Sequence, residues 1–209
     1  HVGGFLGALA TAGVADATVS RKLAAVRGLH RFAIAEDVAG HDPTAGVDPP
    51  RRKVALPKAL TIDEVLQLLD APDPATPLGI RDRAMLEFMY ATGTRVAEVV
   101  GIQVAAVDLE GKTALVTGKG AKQRYVPLGG YAVEAVRRYL PIRLELKAGS
   151  RDPGWLFLNA RGGKLTRQGV FAIVRRHAGR AGLDPGTVSP HVLRHSAAPH
   201  MVEGGADLR

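Results

Sequence analysis

Apolar residues between positions 18 and 36 recur at spacings of three and four, as Val19, Leu23, Val26, Leu29 and Ala33. That is the helical period, and it predicts an amphipathic helix over 18–36. Arg27 and Arg31 share a ridge of this helix one turn apart, ordinarily a solvated face. The pattern then breaks. Asp42-Pro43, Pro49-Pro50, Arg51-Arg52-Lys53 and Pro57 make 41–60 an extended, basic run hostile to helix. Thr61-Ile62-Asp63-Glu64 has the form of a capping box and opens a helix to about residue 70. A further helix is predicted over 81–92 with Leu86, Met89 and Tyr90 inward. Gly93 ends it, and Thr94 is placed to cap a short helix through residue 100.

Strand character follows. Residues 113–117 (TALVT) and 124–128 (RYVPL) flank the loop Gly118-Lys119-Gly120-Ala121-Lys122, which predicts a β-hairpin. Helical spacing returns over 131–140, residues 155–158 (WLFL) read as a buried strand, and 166–178 are helical. Ser189-Pro190 starts the last helix in the favoured order of cap and first-turn proline. The fold class expected is mostly α with a small antiparallel β-sheet (α+β).

Composition narrows the function. The chain has 209 residues, no cysteine, and 28 Lys and Arg against 20 Asp and Glu, a net charge of +8. Without cysteine there is no disulfide, thiolate metal site or Cys nucleophile. The longest apolar stretches, 2–13 and 96–107, are too short or too interrupted to span a bilayer, so no membrane partner is expected. Excess positive charge points toward polyanions, nucleic acid first.

Four features stand out as chemistry. Arg95 sits at a short helix start after a glycine break, where a guanidinium can aim two donors at a phosphate; an isolated arginine there is more commonly a surface ion pair, here to Glu98. Lys119 lies between Gly118 and Gly120 at a hairpin tip, where the backbone can approach a ligand and the amine can give up a proton, or it is a solvent-facing tip lysine. His191 and Arg194, at i and i+3, leave one face of a helix first turn, where free amides and the dipole favour an anion; a histidine bonded to nearby backbone is the plain alternative. His191 with His195 has zinc-ligand spacing, but Val192 stands where a zincin needs Glu, and no third ligand is evident. No metal and no cofactor are expected.

The stretches Ala91-Thr92-Gly93-Thr94-Arg95-Val96-Ala97-Glu98, Gly118 to Leu128 (GKGAKQRYVPL), and Ser189 to Ser196 (SPHVLRHS), followed by Glu203-Gly204-Gly205-Ala206-Asp207-Leu208-Arg209, resemble the tyrosine recombinase (phage integrase) superfamily in order and spacing over nearly the whole chain. Within it the chain is most similar to Xer-type recombinases that resolve chromosome dimers, leaning to the D-type partner. The resemblance implies a partial helical, SAM-like core-binding domain at 1–40, a linker at 41–60 and a catalytic domain at 61–209. It implies that Arg95, His191 and Arg194 contact the scissile phosphate and that Lys119 protonates the departing 5′ oxygen. Such a site gains from fixed cations around the transferring group and needs no metal. Lys22, Arg27, Arg31, Arg51, Arg52, Lys53, Lys122, Arg124, Thr166, Arg167 and Gln168 become candidate DNA contacts. The partners implied are double-stranded DNA and a homologous or partner recombinase in a tetrameric synapse, at a cytoplasmic, nucleoid-associated location.

The resemblance also marks departures. A second histidine or tryptophan and the tyrosine nucleophile are expected beyond the Glu203–Arg209 segment. Tyr90, Tyr125, Tyr131 and Tyr139 stand in other contexts. The chain therefore reads as a piece of a longer protein, truncated at both ends and inactive for strand exchange by itself. Ala197-Ala198-Pro199 replaces an aromatic and a threonine, and a proline there predicts a kink or a shorter helix. The expected function is site-specific DNA recombination through a 3′-phosphotyrosine. The alternatives are a phage or mobile-element integrase and a non-catalytic DNA-binding module.

Overall fold

The computed structural model describes residues 2–50, 59–147 and 154–203. The chain divides into two compact units, His1–Leu56 and Pro57–Arg209.

The first unit pairs α1 (Val2–Thr11) with α2 (Asp16–Ala35). No helix was predicted for α1, since Gly3, Gly4 and Gly7 weaken propensity there and none of its residues is buried. Helix α2 buries Val19 and Leu23 of the predicted face, whereas Val26 and Ala33 are half-buried and Leu29 is exposed. Residues 41–50 fold back on α2 as part of the same unit. The Arg27 guanidinium donates to the Val47 carbonyl, and buried Thr44 is held by Asp42 Oδ1, which accepts from its amide at 2.8 Å and its hydroxyl at 2.6 Å. The basic triplet Arg51, Arg52 and Lys53 lies outside the described residues.

In the second unit, α3 (Ile62–Asp70) opens with the predicted capping box: the Glu64 amide donates to Thr61 Oγ1 at 3.2 Å, and the Thr61 amide donates to Glu64 Oε2 at 2.7 Å. Helix α4 (Pro77–Thr92) starts four residues earlier than predicted, because Thr76 caps it through the Gly79 amide and Pro77 occupies the first turn. It is the central element, buried on most sides and packed against α6 (Gly130–Leu146) and α8 (Pro190–Glu203). Gly93 ends α4 in the left-handed region, at φ 54°. Helix α5 (Val96–Gly101) then begins with Arg95, not Thr94, as its cap. Thr94 is buried, and its hydroxyl meets that of Thr92 at 2.9 Å.

The sheet is three-stranded and antiparallel, in the order β1 (Val107–Asp108), β2 (Thr113–Thr117), β3 (Gln123–Pro127). Leu156, Phe157 and Leu158 are buried as predicted, with Trp155 half-buried, but the segment forms no strand; it makes the isolated bridges Gln103–Trp155 and Leu158–Lys164. Their backbone is satisfied from elsewhere: Leu156 N–H donates to Ile102 O at 2.9 Å, and Leu158 N–H donates to the Tyr139 hydroxyl at 3.2 Å. Helix α6 runs past the predicted end at residue 140 and accommodates Pro141 internally. The face that buries Val133, Val136 and Tyr139 continues to Arg143, whose Nε donates to Trp155 O at 2.8 Å. Tertiary packing thus outweighs the hydrogen bond a proline removes. The same holds for α8, which continues through Pro199. Helix α7 (Arg167–Arg180) is capped by Thr166 through the Gly169 amide at 3.0 Å.

Candidate active site

The site is built around one buried carboxylate. Glu98 lies in α5, where its side chain is 2% exposed. Its Oε2 accepts from the Arg95 amide at 2.7 Å, closing the start of α5, while Arg95 Nη1 stands 3.5 Å from Oε1. The ion pair predicted between these residues exists, yet the Arg95 side chain remains 62% exposed.

The second arginine arrives from the sheet. Alternation along β3 puts Arg124 and Val126 on the face opposite Tyr125, and Arg124 pairs in register with Val116 of β2. From there it reaches Glu98 with both ends of its fork, Nη1 to Oε1 at 2.6 Å and Nη2 to Oε2 at 3.0 Å. The hydrogen bond from Arg124 is the main force holding Glu98 below its ordinary carboxylate range against the opposing pull of burial, and in return Glu98 raises the Arg124 guanidinium. Arg124 was expected at DNA; its described partner is Glu98. Strand parity places Arg124 on the face of Val126, a signal that holds only for this register.

The third arginine comes from α8. Ser189 Oγ accepts from the Val192 amide at 3.3 Å, and Pro190 opens the helix. Arg194, one turn on, buries its Nη1 without a partner. Burial first, then the charges of Arg95 and Arg124, lower its guanidinium below the ordinary value, with Glu98 acting in the opposite direction. Arg95 and Arg124 therefore share the Glu98 carboxylate, Arg194 feels its charge without an ion pair to it, and among the described residues one buried Arg194 donor is unused.

His191 is exposed on the first turn of α8, with its ring 5.7 Å from that of Phe171 on α7, edge to face. Lys119 lies in the single turn Lys119–Ala121 at the hairpin tip, exposed and without an ion pair to any described residue. The adjoining Gly118 fixes the tip next to the carboxylate, since a Cβ there would lie 3.3 Å from Glu98 Oε1 and 3.8 Å from Arg124 Nη1. The structure thus gathers Arg95 and Arg194 with Glu98 and Arg124, sets Lys119 one residue from that group, and places His191 one turn before Arg194.

Lys122 is exposed on the same loop, and Arg167 and Gln168 are exposed on the first turn of α7, where Thr166 serves as cap. In the first unit Lys22 and Arg31 are exposed, whereas Arg27 is engaged with Val47. The tyrosines lie in other settings. Tyr139 is buried against Phe157, Tyr90 hydrogen-bonds His200 Nδ1 at 2.9 Å, and Tyr125 and Tyr131 are exposed. No helix among the described residues is long and apolar enough to cross a membrane.

Comparison with known proteins agrees with this architecture. Residues 58–209 match the phage integrase family, and residues 1–37 match the SAM-like amino-terminal domain of phage integrases. The chain is 47% identical over 207 residues to tyrosine recombinase XerD of Mycobacterium leprae, covering 95% of this chain and 65% of that protein. It is 48% identical over 205 residues to XerD of Mycobacterium tuberculosis, with the same coverage. The chain thus spans about 65% of the length of these relatives. Among solved structures, a XerH site-specific recombinase bound to difH substrate in a pre-cleavage complex superimposes with a TM-score of 0.75 at 26% identity, over 99% of this chain and 60% of that one. A Tn1549 transposon integrase shares the fold at a TM-score of 0.79 and 16% identity, covering 99% of this chain and 73% of that one. With the family model extending over the whole second unit and the SAM-like model over the first two helices, the chain belongs to the phage integrase family.

Proposed function

We propose that this chain forms the DNA-holding and phosphate-activating part of a site-specific tyrosine recombinase that resolves chromosome dimers. The observation that carries the reading is the buried, unpartnered Arg194 Nη1 inside a group of three arginines and one carboxylate. A buried cationic donor left unpaired is costly, and a phosphodiester oxygen supplies both the missing acceptor and the missing charge. Arg95 and Arg194 then clasp the non-bridging oxygens, with His191 beside them.

The reaction follows from that placement. A tyrosine hydroxyl from outside residues 1–209 gives up its proton to solvent as it attacks phosphorus and forms the 3′-phosphotyrosine. The bond to the 5′ oxygen breaks, and that oxygen takes its proton from Lys119. The arginines stabilise the charge on the equatorial oxygens. Partners are duplex DNA and a like or partner recombinase in a four-subunit synapse, at a cytoplasmic, nucleoid-associated location. The similarity to XerD proteins and to a XerH recombinase solved with its difH substrate favours this reading over an element-borne integrase.

The test uses the full-length gene product and a nicked suicide duplex, with a covalent protein–DNA adduct as readout. Arg95→Ala, Arg194→Ala and Lys119→Ala each cut adduct formation by about a hundredfold or more, the usual cost of one transition-state donor, and leave most duplex binding intact. Binding lost in step with cleavage reduces these residues to DNA holders. Tight binding with no adduct from the unaltered protein leaves a non-catalytic module. Binding also weakens steeply with salt as cationic contacts displace counterions; a flat dependence contradicts the DNA reading.

A further inference from the structure

We infer that Arg124 is a positioning residue, which occupies the Glu98 carboxylate so that the Arg95 guanidinium stays free for the phosphate. This rests on the recombinase reading above.

The geometry is a competition for one carboxylate. Glu98 is almost wholly buried, so its charge is only weakly screened by water. Two guanidiniums approach it. Arg124 makes short contacts to both oxygens, 2.6 and 3.0 Å, whereas the Arg95 guanidinium is held off at 3.5 Å and is joined more closely through its backbone amide, at 2.7 Å. A planar fork matched to both carboxylate oxygens saturates their best directions. Without Arg124 the nearest cation to Glu98 is Arg95, and its side chain closes onto the vacated oxygens.

The same bond is a mechanical link. Arg124 belongs to the strand that leaves the Lys119 tip, and Glu98 belongs to the helix that Arg95 caps. The Arg124–Glu98 contact therefore sets hairpin and helix in one relation, with Gly118 allowing the close approach. The two bonds to Glu98 take two of the five N–H donors of Arg124, so a lost phosphate contact is distinguished by the salt slope. Arg124 spends both terminal nitrogens on Glu98 and keeps 41% of its side chain exposed.

Single-turnover cleavage by the full-length protein, with duplex affinity measured across a salt series, tests the assignment. Arg124→Gln lowers the cleavage rate by about tenfold to a hundredfold, the range for a side chain acting through its neighbour, while affinity and its salt slope stay as in the unaltered protein. Adding Glu98→Gln to Arg124→Gln recovers part of the rate, because a neutral amide still accepts from the Arg95 amide but no longer attracts its guanidinium. A purely structural role gives no such recovery. Arg124→Lys, which keeps a cation at Glu98, loses less than Arg124→Gln at the same salt slope and carries the test if the glutamine variant fails to fold.

Three results overturn the proposal: a salt slope shallower by about one, the mark of a lost phosphate contact; a double variant slower than Arg124→Gln alone; or unchanged cleavage in Arg124→Gln. If the unaltered protein forms no adduct, the recombinase reading fails instead. The salt slope then still separates a DNA contact from a carboxylate partner.

Discussion

Asp82 anchors a cluster that neither the site nor its chemistry uses directly, and replacing it with Asn tests the packing that positions α7. Asp82 is 1% exposed. It accepts from Arg81 Nε at 2.6 Å, and its Oδ2 accepts from Arg176 Nη2 and His177 Nε2, each at 2.8 Å. Arg81 also donates to the Leu158 carbonyl, so one carboxylate ties α4, α7 and the 155–158 segment together. Asn has one acceptor oxygen, and its amide turns donors toward a histidine and an arginine that are themselves donors. Arg81, 3% exposed, is left without a counter-charge. Breaking a buried pair from one side costs about 3–5 kcal/mol. Arg176 adds little to that, because its side chain is half exposed and an exposed pair contributes only about 0–1 kcal/mol.

The assay is urea denaturation of the chain followed by circular dichroism, with Arg176→Ala as the control that loses about 1 kcal/mol or less. The pH dependence supplies a second arm. Burial raises the Asp82 carboxyl, but the hydrogen bond from His177 and the Arg81 charge outweigh it, and the folded-state value lies below the ordinary one. A lowered folded value adds stability above the ordinary carboxylate range and loses it as pH falls through the folded value. Asp82→Asn therefore closes the gap to the unaltered chain on acidification. A loss at neutral pH under about 1 kcal/mol, where a buried network predicts several, or a gap that does not narrow in acid, refutes the reasoning.

Two further outcomes are measurable by the same denaturation experiment. Tyr139→Phe removes the acceptor for the buried Leu158 amide and costs about 1–3 kcal/mol, the penalty of an orphaned donor; a change near zero means the amide finds another partner. Glu87 is buried, and that burial raises its carboxyl despite the Arg83 ion pair, so its contribution is present at low pH and is lost as pH rises toward its folded value. Glu87→Gln therefore gains on the unaltered chain as pH rises through and above the ordinary carboxylate range, and a constant difference across that rise contradicts the assignment.

What the sequence disclosed follows the range of the forces involved. Helices set by periodicity and local capping, such as α3 with its Thr61–Glu64 box and α2 with Val19 and Leu23, were legible because both causes lie within a few residues. Helix α1 was not, since its glycines argue against it. The end of α6 was misjudged for the opposite reason: Pro141 is a local stop signal that burial against distant elements overrides, and α8 likewise continues through Pro199, without the shortening that was one of the two outcomes expected there. Residues 155–158 had the composition of a strand, but their backbone partners come from Ile102, Tyr139 and Arg81, none of which a local pattern reveals.

The site divides along the same line. Arg95, Lys119, His191 and Arg194 could be singled out by motif because each sits at a local break in the chain, a helix start or a hairpin tip. Glu98 was visible only as a neighbour of Arg95, three residues on. Its bond to Arg124 crosses 26 residues and depends on which face of β3 each residue takes, a parity that one slip in register would reverse. The motif lists the cations, but the register decides which of them are free. Two arginines thus meet one carboxylate differently, Arg124 with both terminal nitrogens and 41% of its side chain exposed, Arg95 at 3.5 Å with 62% exposed.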